Sequence, residues 1–135
     1  MVLVYPNIEQ LRLWVRLVEK TDGLNQYLPL IDDRWFVAIE SDLILCSMHP
    51  DGDDFYKTSA RLFYRVIKNH HFIDGNKRSA LLVWFLLMLL NNGEFRASWE
   101  AMYKLAKVVA GTSGRQEDLI ADLSSIFKDL VIFKE

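Results

Sequence analysis

The sequence has a single cysteine, Cys46, so no disulfide can form within the chain. A chain without disulfides fits a reducing cytoplasm. Cys46 lies in an apolar stretch and has no basic neighbour in sequence to stabilise a thiolate. We therefore expect a cytoplasmic protein in which Cys46 fills space in the core and is not a nucleophile.

The sequence also lacks an excess of positive charge. Its formal net charge is −2 and its pI is about 5.9. A protein that binds nucleic acid without sequence preference neutralises phosphates with lysine and arginine, and is expected to be basic. The charge balance therefore argues against direct binding of nucleic acid as the main role.

No apolar run is long enough to cross a bilayer. The run Ala80–Leu90 has 11 residues, whereas a spanning helix needs about 20. Residues 1–5 are apolar but lack the positive lead and the cleavage site of a signal peptide. We expect no membrane segment, and we interpret Ala80–Leu90 as a helix that is buried on all sides.

The residues that are present suffice for one hydrophobic core. Apolar residues make up 51% of the 135 and charged residues 25%, which excludes a disordered chain. The predicted fold is a single all-α domain over residues 1–135, a helical bundle around a buried central helix, with one small β-hairpin at most. Capping residues and apolar spacing place helices at about 8–20, from 53 or 54 to about 70, from the polar loop described below to about 90, from 98 to about 111, and at 116–130.

The segment Leu28–Leu45 has two interpretations. Trp35–Ile39 and Leu43–Leu45 flank a polar Ser41-Asp42 pair, which is the pattern of two short strands around a turn. The same residues are also compatible with a helix, because short apolar runs do not distinguish the two.

A polar loop, His70–Arg78, precedes the central apolar run. It contains two histidines, a carboxylate, a glycine, an amide and two cations. The N-terminus of a helix attracts anions, because its first N–H groups have no partner within the helix and the peptide dipoles add positive charge. A simple turn and cap would explain Gly75-Asn76, but Lys77 and Arg78 oppose the dipole. Their position favours a bound anion.

The order of residues in this loop resembles the signature of the Fic family. His70-x-Phe72-x-Asp74-Gly75-Asn76-Lys77-Arg78 is similar to His-x-Phe-x-(Asp/Glu)-(Gly/Ala)-Asn-(Gly/Lys)-Arg. Most Fic nucleotidyl transferases have glycine where Lys77 stands, and a second arginine where Leu81 stands. Both departures resemble the Doc ("death on curing") toxin branch more than the adenylylating branch. The resemblance extends more loosely over residues 55–93.

The resemblance implies a role for each polar residue of the loop. His70 is the expected base, because an imidazole accepts a proton near neutral pH and the signature selects His70 rather than His71. Asp74 would bind Mg²⁺, which takes one or two carboxylates together with phosphate oxygens. Gly75 and Asn76 would line the phosphate site of ATP, and Lys77 and Arg78 would neutralise the phosphate chain. Phe72 is expected to anchor the loop in the core.

The Doc branch implies a kinase reaction and two protein partners. The gamma-phosphoryl group of ATP would move to a hydroxyl of a translation factor such as elongation factor Tu, and an antitoxin peptide would inhibit the enzyme in trans. A flap in Leu28–Leu45 would dock the target as an added strand. Leu82 replaces a polar residue that is frequent in Doc-like sequences. Ser113–Glu117 matches only the first part of the Fic inhibitory helix, because Asp118 follows it.

Three other functions are compatible with the sequence. A Fic-type adenylyltransferase would transfer the nucleotide half of ATP to a protein hydroxyl. A catalytically inactive helical module would only bind a partner protein. A metal hydrolase that uses His70, His71 and Asp74 is a weaker alternative, since adjacent histidines rarely reach one ion and no second ligand cluster is present.

Overall fold

The structure is a computed structural model that describes residues 2–69 and 75–133. For Tyr27 it describes the backbone alone. Within these residues the chain is helical with one small sheet, as the all-α prediction requires. A 3₁₀ turn covers Asn25–Tyr27. The elements in chain order are α1 Ile8–Glu19, α2 Asp33–Met48, α3 Phe55–Lys68, α4 Asn76–Leu90, β1 Gly93–Phe95, α5 Trp99–Gly111, α6 Gln116–Leu130 and β2 Val131–Phe133.

Helix α4 forms the centre of the bundle and packs against α1, α3 and α5. Its residues from Ser79 to Met88 are buried except for Phe85, which is half-buried, and only Leu89 near the end is exposed. An apolar helix of this kind gains most when neighbouring helices remove all its faces from water. The prediction of a buried central helix is confirmed.

Helix α3 connects the two halves of the bundle, because it packs against α2, α4, α5 and α6. Its amphipathic sequence buries one face, including Leu62, Phe63 and Val66. Phe63 lies edge-on to Phe127 of α6 at a centroid separation of 5.5 Å. Through these contacts α3 holds its C-terminal end, which leads to the polar loop, in a fixed place beside α4.

The prediction of a β-hairpin in Leu28–Leu45 is wrong. Residues from Asp33 onward form α2, and Asp32 caps it by accepting from the backbone N–H of Trp35. The buried positions Trp35, Ile39, Leu43 and Cys46 recur at helical spacing and face one side. Tertiary burial of this stripe decides between two conformations that the local sequence left open.

The strands of the described residues lie elsewhere. β1 and β2 pair antiparallel, with Gly93 opposite Phe133 and Phe95 opposite Val131. Gly93 follows Asn92, whose φ of 62° is left-handed and ends the chain reversal after α4. A Cβ at Gly93 would lie 2.6 Å from Cγ of Met88, so only glycine fits there without a shift. The predicted stop at Asn92-Gly93 is confirmed.

Local capping signals correctly marked three other helix starts. Asn7 forms a capping box with Gln10, Asp54 accepts from the N–H of Lys57, and Ser98 accepts from that of Ala101.

Cys46 is buried in the core, and burial raises the pKa of its thiol to about 12. A thiol with so high a pKa is not a nucleophile at neutral pH, which confirms its assignment as a core residue.

Candidate functional site

The candidate phosphate-binding residues come together at the start of α4. Gly75, Asn76, Lys77 and Arg78 form a half-buried surface there. His70, Phe72 and Asp74 lie outside the described residues, so the predictions of a base and a metal ligand stay predictions. The described part of the candidate site therefore consists of Gly75–Arg78, the residues predicted to bind phosphate.

Gly75 opens α4 in a left-handed conformation, with φ 88° and ψ 12°. Its carbonyl accepts the N–H of Ser79 at 2.8 Å, which closes the first helical turn. Only glycine adopts this conformation without strain, and the absence of a side chain leaves the helix start approachable. The N-cap position of α4 thus needs the glycine that stands there.

The start of α4 differs electrostatically from every other helix start in the described residues. Its N-cap, Gly75, has no side chain with which to cap the helix, and no acidic residue lies in its first turn. α1, α2, α3 and α5 have capping side chains, and the first turn of α6 has two acids. The positive end of the α4 dipole is therefore not offset by a carboxylate of its own turn.

Lys77 and Arg78 increase this positive potential. Both side chains are half-buried, and none of the ion pairs within residues 2–69 and 75–133 involves either of them. Two partly desolvated cations beside a helix N-terminus repel each other and the dipole unless an anion lies nearby. The arrangement suits a polyphosphate chain, which offers several oxygens to a guanidinium fork and an ammonium.

A buried hydrogen bond fixes the first turn of α4 to α2. The indole Nε1 of Trp35 donates to Oγ of Ser79 at 2.9 Å, and both residues are fully buried. Buried tryptophan N–H groups need a partner, and Ser79 lies one residue after Arg78. The sequence analysis did not predict this contact, because the residues around Trp35 do not indicate a hydrogen-bond partner 44 positions away.

The segment before α2 borders the site, although it is not a hairpin. Pro29 is buried, and a Cβ built on Gly75 would lie 2.7 Å from Cβ of Pro29. Leu30 next to it is 88% exposed. The segment therefore closes one side of the α4 start and presents an apolar side chain to solvent.

Gly75 and Gly23 offer a matched pair of substitutions. Both have left-handed φ values, 88° and 86°, but nothing lies within 4 Å of a Cβ at Gly23. We expect Gly23→Ala to lower the free energy of unfolding by roughly 1–2 kcal/mol, the cost of the backbone conformation. Gly75→Ala should cost about 1–3 kcal/mol more, because Pro29 must shift. Urea denaturation measures both, and equal losses would show that the Pro29 contact is unimportant.

Glu117, the candidate inhibitory glutamate, pairs with a different arginine. Its two carboxylate oxygens accept from Nη1 and Nη2 of Arg61 at 2.9 and 3.2 Å. These hydrogen bonds lower the pKa of Glu117. Its carboxylate is thereby engaged by α3 rather than by Arg78, which agrees with the incomplete motif around it.

The metal prediction depends on Asp74. Within residues 2–69 and 75–133 no group of three or more histidine, cysteine, aspartate or glutamate residues could hold a metal ion. The first turn of α4 adds no carboxylate. Mg²⁺ bound by nucleotide phosphates typically takes only one or two carboxylates from the protein. The metal prediction therefore stays a prediction about Asp74.

None of the helices in the described residues combines the length and hydropathy that crossing a bilayer requires.

The described residues define an all-α domain whose buried central helix has two cations in its half-buried first turn. The model of the Fic/DOC family matches residues 23–88, which include α2, α3 and most of α4. This match supports assignment of the chain to the Fic/DOC family. No curated protein and no solved structure matched the chain.

Proposed function

We propose that this chain is a Doc-like kinase, a Fic-type transferase that moves the gamma-phosphoryl group of ATP to a hydroxyl of a translation factor resembling elongation factor Tu. One observation carries the proposal: α4 begins at a glycine N-cap with no acid in its first turn, and that turn has two half-buried cations that end the Fic-like signature. The family match over residues 23–88 supports a transferase acting on proteins.

Each requirement of the reaction has a proposed residue. His70 takes the proton of the attacking hydroxyl, and Asp74 holds Mg²⁺ against the phosphate oxygens. Backbone donors at Gly75 and Asn76, together with the cations, stabilise the charge on the phosphates. Little covalent chemistry is required of the protein, since phosphoryl transfer depends mainly on positioning and electrostatics.

Lys77 supports phosphoryl rather than nucleotidyl transfer. It lies in the first turn of α4, at the signature position where most adenylylating Fic enzymes have glycine. A long cation there occupies space that one end of the triphosphate would otherwise fill. We propose that it favours the orientation in which the gamma phosphate faces the base.

Leu82 supports the alternative, a Fic-type adenylyltransferase. It is buried in the core, and its carbonyl accepts from Nε1 of Trp14 at 2.9 Å. A polar residue frequent at this position in Doc-like sequences is therefore replaced by one that makes no polar side-chain contact with phosphate. The two reactions differ in the part of ATP that is transferred.

ATP labelled at either the alpha or the gamma phosphorus separates the two reactions. We expect the wild-type protein to transfer only gamma label to a protein of a bacterial lysate. Lys77→Gly should shift transfer toward alpha label, whereas Lys77→Arg, which keeps a long cation, should retain gamma transfer. Alpha label on the target of the wild type would establish adenylylation instead, and unlabelled lysate protein in both arms would favour the inactive binding module.

An antitoxin peptide in trans remains the proposed inhibitor. An apolar groove with a volume of about 150 Å³ lies between α5 and α6 and is lined by Leu105, Val108, Leu119 and Ile126, among others. Val108 is 62% exposed. An exposed apolar groove of this kind suits the apolar face of a helical peptide.

A further inference from the structure

The first turn of α4 is contacted at both of its ends by the segment that leads into α2 and begins it. At one end, a Cβ built on Gly75 would lie 2.7 Å from Cβ of Pro29, so these two residues pack closely. At the other end, Nε1 of Trp35 donates to Oγ of Ser79 at 2.9 Å. The two cations of the turn lie between these contacts.

Ser79 is the residue whose backbone closes this turn. Its N–H donates to the carbonyl of Gly75 at 2.8 Å, which is the first hydrogen bond of the helix. The N–H groups of the residues before it have no acceptor within the helix, so their directions follow the turn as a whole. A contact that fixes Ser79 therefore also fixes these donors and the backbone from which Lys77 and Arg78 extend.

Trp35 can act as an anchor because the core fixes its own position. Its side chain is fully buried, and its ring lies edge-on to Phe36 with the centroids 5.1 Å apart. Its backbone N–H donates at 3.0 Å to Oδ1 of Asp32, the N-cap of α2. Ser79 is also fully buried. Water therefore does not compete for the hydrogen bond between the indole and the hydroxyl, which is stronger than an exposed one.

We infer that Trp35, acting through Ser79, is a positioning residue that fixes the first turn of α4 and the backbone of its two cations. The consequence for ATP rests on the proposed function, in which Lys77 and Arg78 hold the phosphate chain. A protein whose binding-competent conformation is only partly populated binds its ligand more weakly in proportion to that population. Loss of the hydrogen bond therefore raises the Kd for ATP and leaves the chemical step unchanged once ATP is bound.

Trp14 offers a matched control. Its Nε1 also donates to α4 at 2.9 Å, but to the carbonyl of Leu82, about one turn further along the helix. Both indoles are buried, and each ties a neighbouring helix to α4. Trp14→Phe therefore removes a similar contact from the same helix without touching its first turn.

The binding test is isothermal titration of ATP with Mg²⁺ into the wild type and the variants. Trp35→Phe and Ser79→Ala should each raise Kd by about three- to tenfold, the equilibrium effect of one hydrogen bond. Trp14→Phe should keep the wild-type Kd. In label transfer, Trp35→Phe should raise KM for ATP and keep kcat at saturating ATP near the wild-type value.

The double variant Trp35→Phe/Ser79→Ala separates positioning from stability. Ser79→Ala alone leaves a buried indole N–H without its acceptor, whereas the double variant removes both partners. Ser79→Ala should therefore lower the urea midpoint in the wild-type background and change it little in the Trp35→Phe background. The double variant should bind ATP as weakly as Trp35→Phe alone, because both substitutions remove the same contact.

Amide hydrogen exchange, followed by nuclear magnetic resonance, reports on the same turn without ATP. Amides at a helix start exchange through local opening, which responds to local contacts rather than to global stability. The N–H of Ser79 should exchange about three- to tenfold faster in Trp35→Phe than in the wild type. Trp14→Phe should leave that rate unchanged.

The outcomes distinguish the inference from the proposed function. A wild type that binds ATP but transfers neither label refutes the proposed function, and Kd and exchange still test the role of Trp35. A wild type that does not bind ATP also refutes the proposed function, and exchange at Ser79 then decides whether Trp35 fixes the turn. Unchanged Kd and exchange in Trp35→Phe overturn the inference. So does an equal rise of both in Trp14→Phe, which would reflect a general loosening of α4.

Discussion

His70→Ala should reduce gamma-phosphoryl transfer by about 10²–10⁴-fold, the range that a positioned general base contributes. The reason is chemical: a serine or threonine hydroxyl is a poor nucleophile until a base with a pKa near neutrality takes its proton. Affinity for ATP should change little, since the residues proposed to bind phosphate at the start of α4 remain. Initial rates of label transfer and equilibrium binding of ATP with Mg²⁺ measure the two effects separately.

His71→Ala provides the control for this substitution. The two histidines are adjacent and chemically identical, but the signature places only His70 at the position of the base. We expect His71→Ala to transfer label at close to the wild-type rate. Loss in His71→Ala with retention in His70→Ala would reverse the assignment. Growth arrest that persists in His70→Ala would favour a non-enzymatic binding module.

Arg78→Ala should weaken ATP binding by about 10–100-fold, because a hydrogen bond to a charged group contributes about 1.5–3 kcal/mol and each 1.4 kcal/mol is a factor of ten. Arg78 is half-buried in the first turn of α4, where no acid of that turn competes for its guanidinium. The loss should diminish with added salt less than that of an exposed cation, since partly buried charges are screened less. Isothermal titration with ATP and Mg²⁺ measures it.

Arg34→Ala is the matched control for Arg78→Ala. Arg34 also lies in the first turn of a helix, but its side chain is 92% exposed and pairs with Asp32 at 3.4 Å. Its removal should leave ATP affinity at the wild-type value, because α2 starts with a capping aspartate that opposes anion binding. Equal affinity losses in both variants would mean that net charge, rather than a site at α4, governs ATP binding.

The helix ends were predictable because their signals are local. Asn7, Asp54 and Ser98 each accept a backbone N–H three residues ahead, which depends only on the few residues around them. The central helix was predictable from composition, since an 11-residue apolar run bounded by polar residues has few other folds. The polar residues of the candidate site were found in the sequence because they are consecutive, and their roles stay predictions.

The segment Leu28–Leu45 was not predictable, because both the strand and the helix interpretation satisfy its local pattern. The helix is selected by α3, against which α2 packs and whose Arg65 and Asn69 meet Asp42 on α2. Sequence reasoning treated Ser41-Asp42 as a turn signal. In the fold, Asp42 is instead a buried ion-pair partner, and no local pattern distinguishes the two roles.

By itself the sequence determined three helix starts, at Asn7, Asp54 and Ser98, and the buried character of α4. Only the tertiary structure decided which distant residues contact the candidate site and its surroundings. Trp35 donates a hydrogen bond to Ser79, and Pro29 packs against Gly75. Asp42 accepts a hydrogen bond from Asn69 at the end of α3. The tertiary structure also pairs Glu117 with Arg61 of α3 rather than with the start of α4. The physical reason is range, since caps and periodicity act over one or two helical turns, whereas these partners meet only when separate helices pack together.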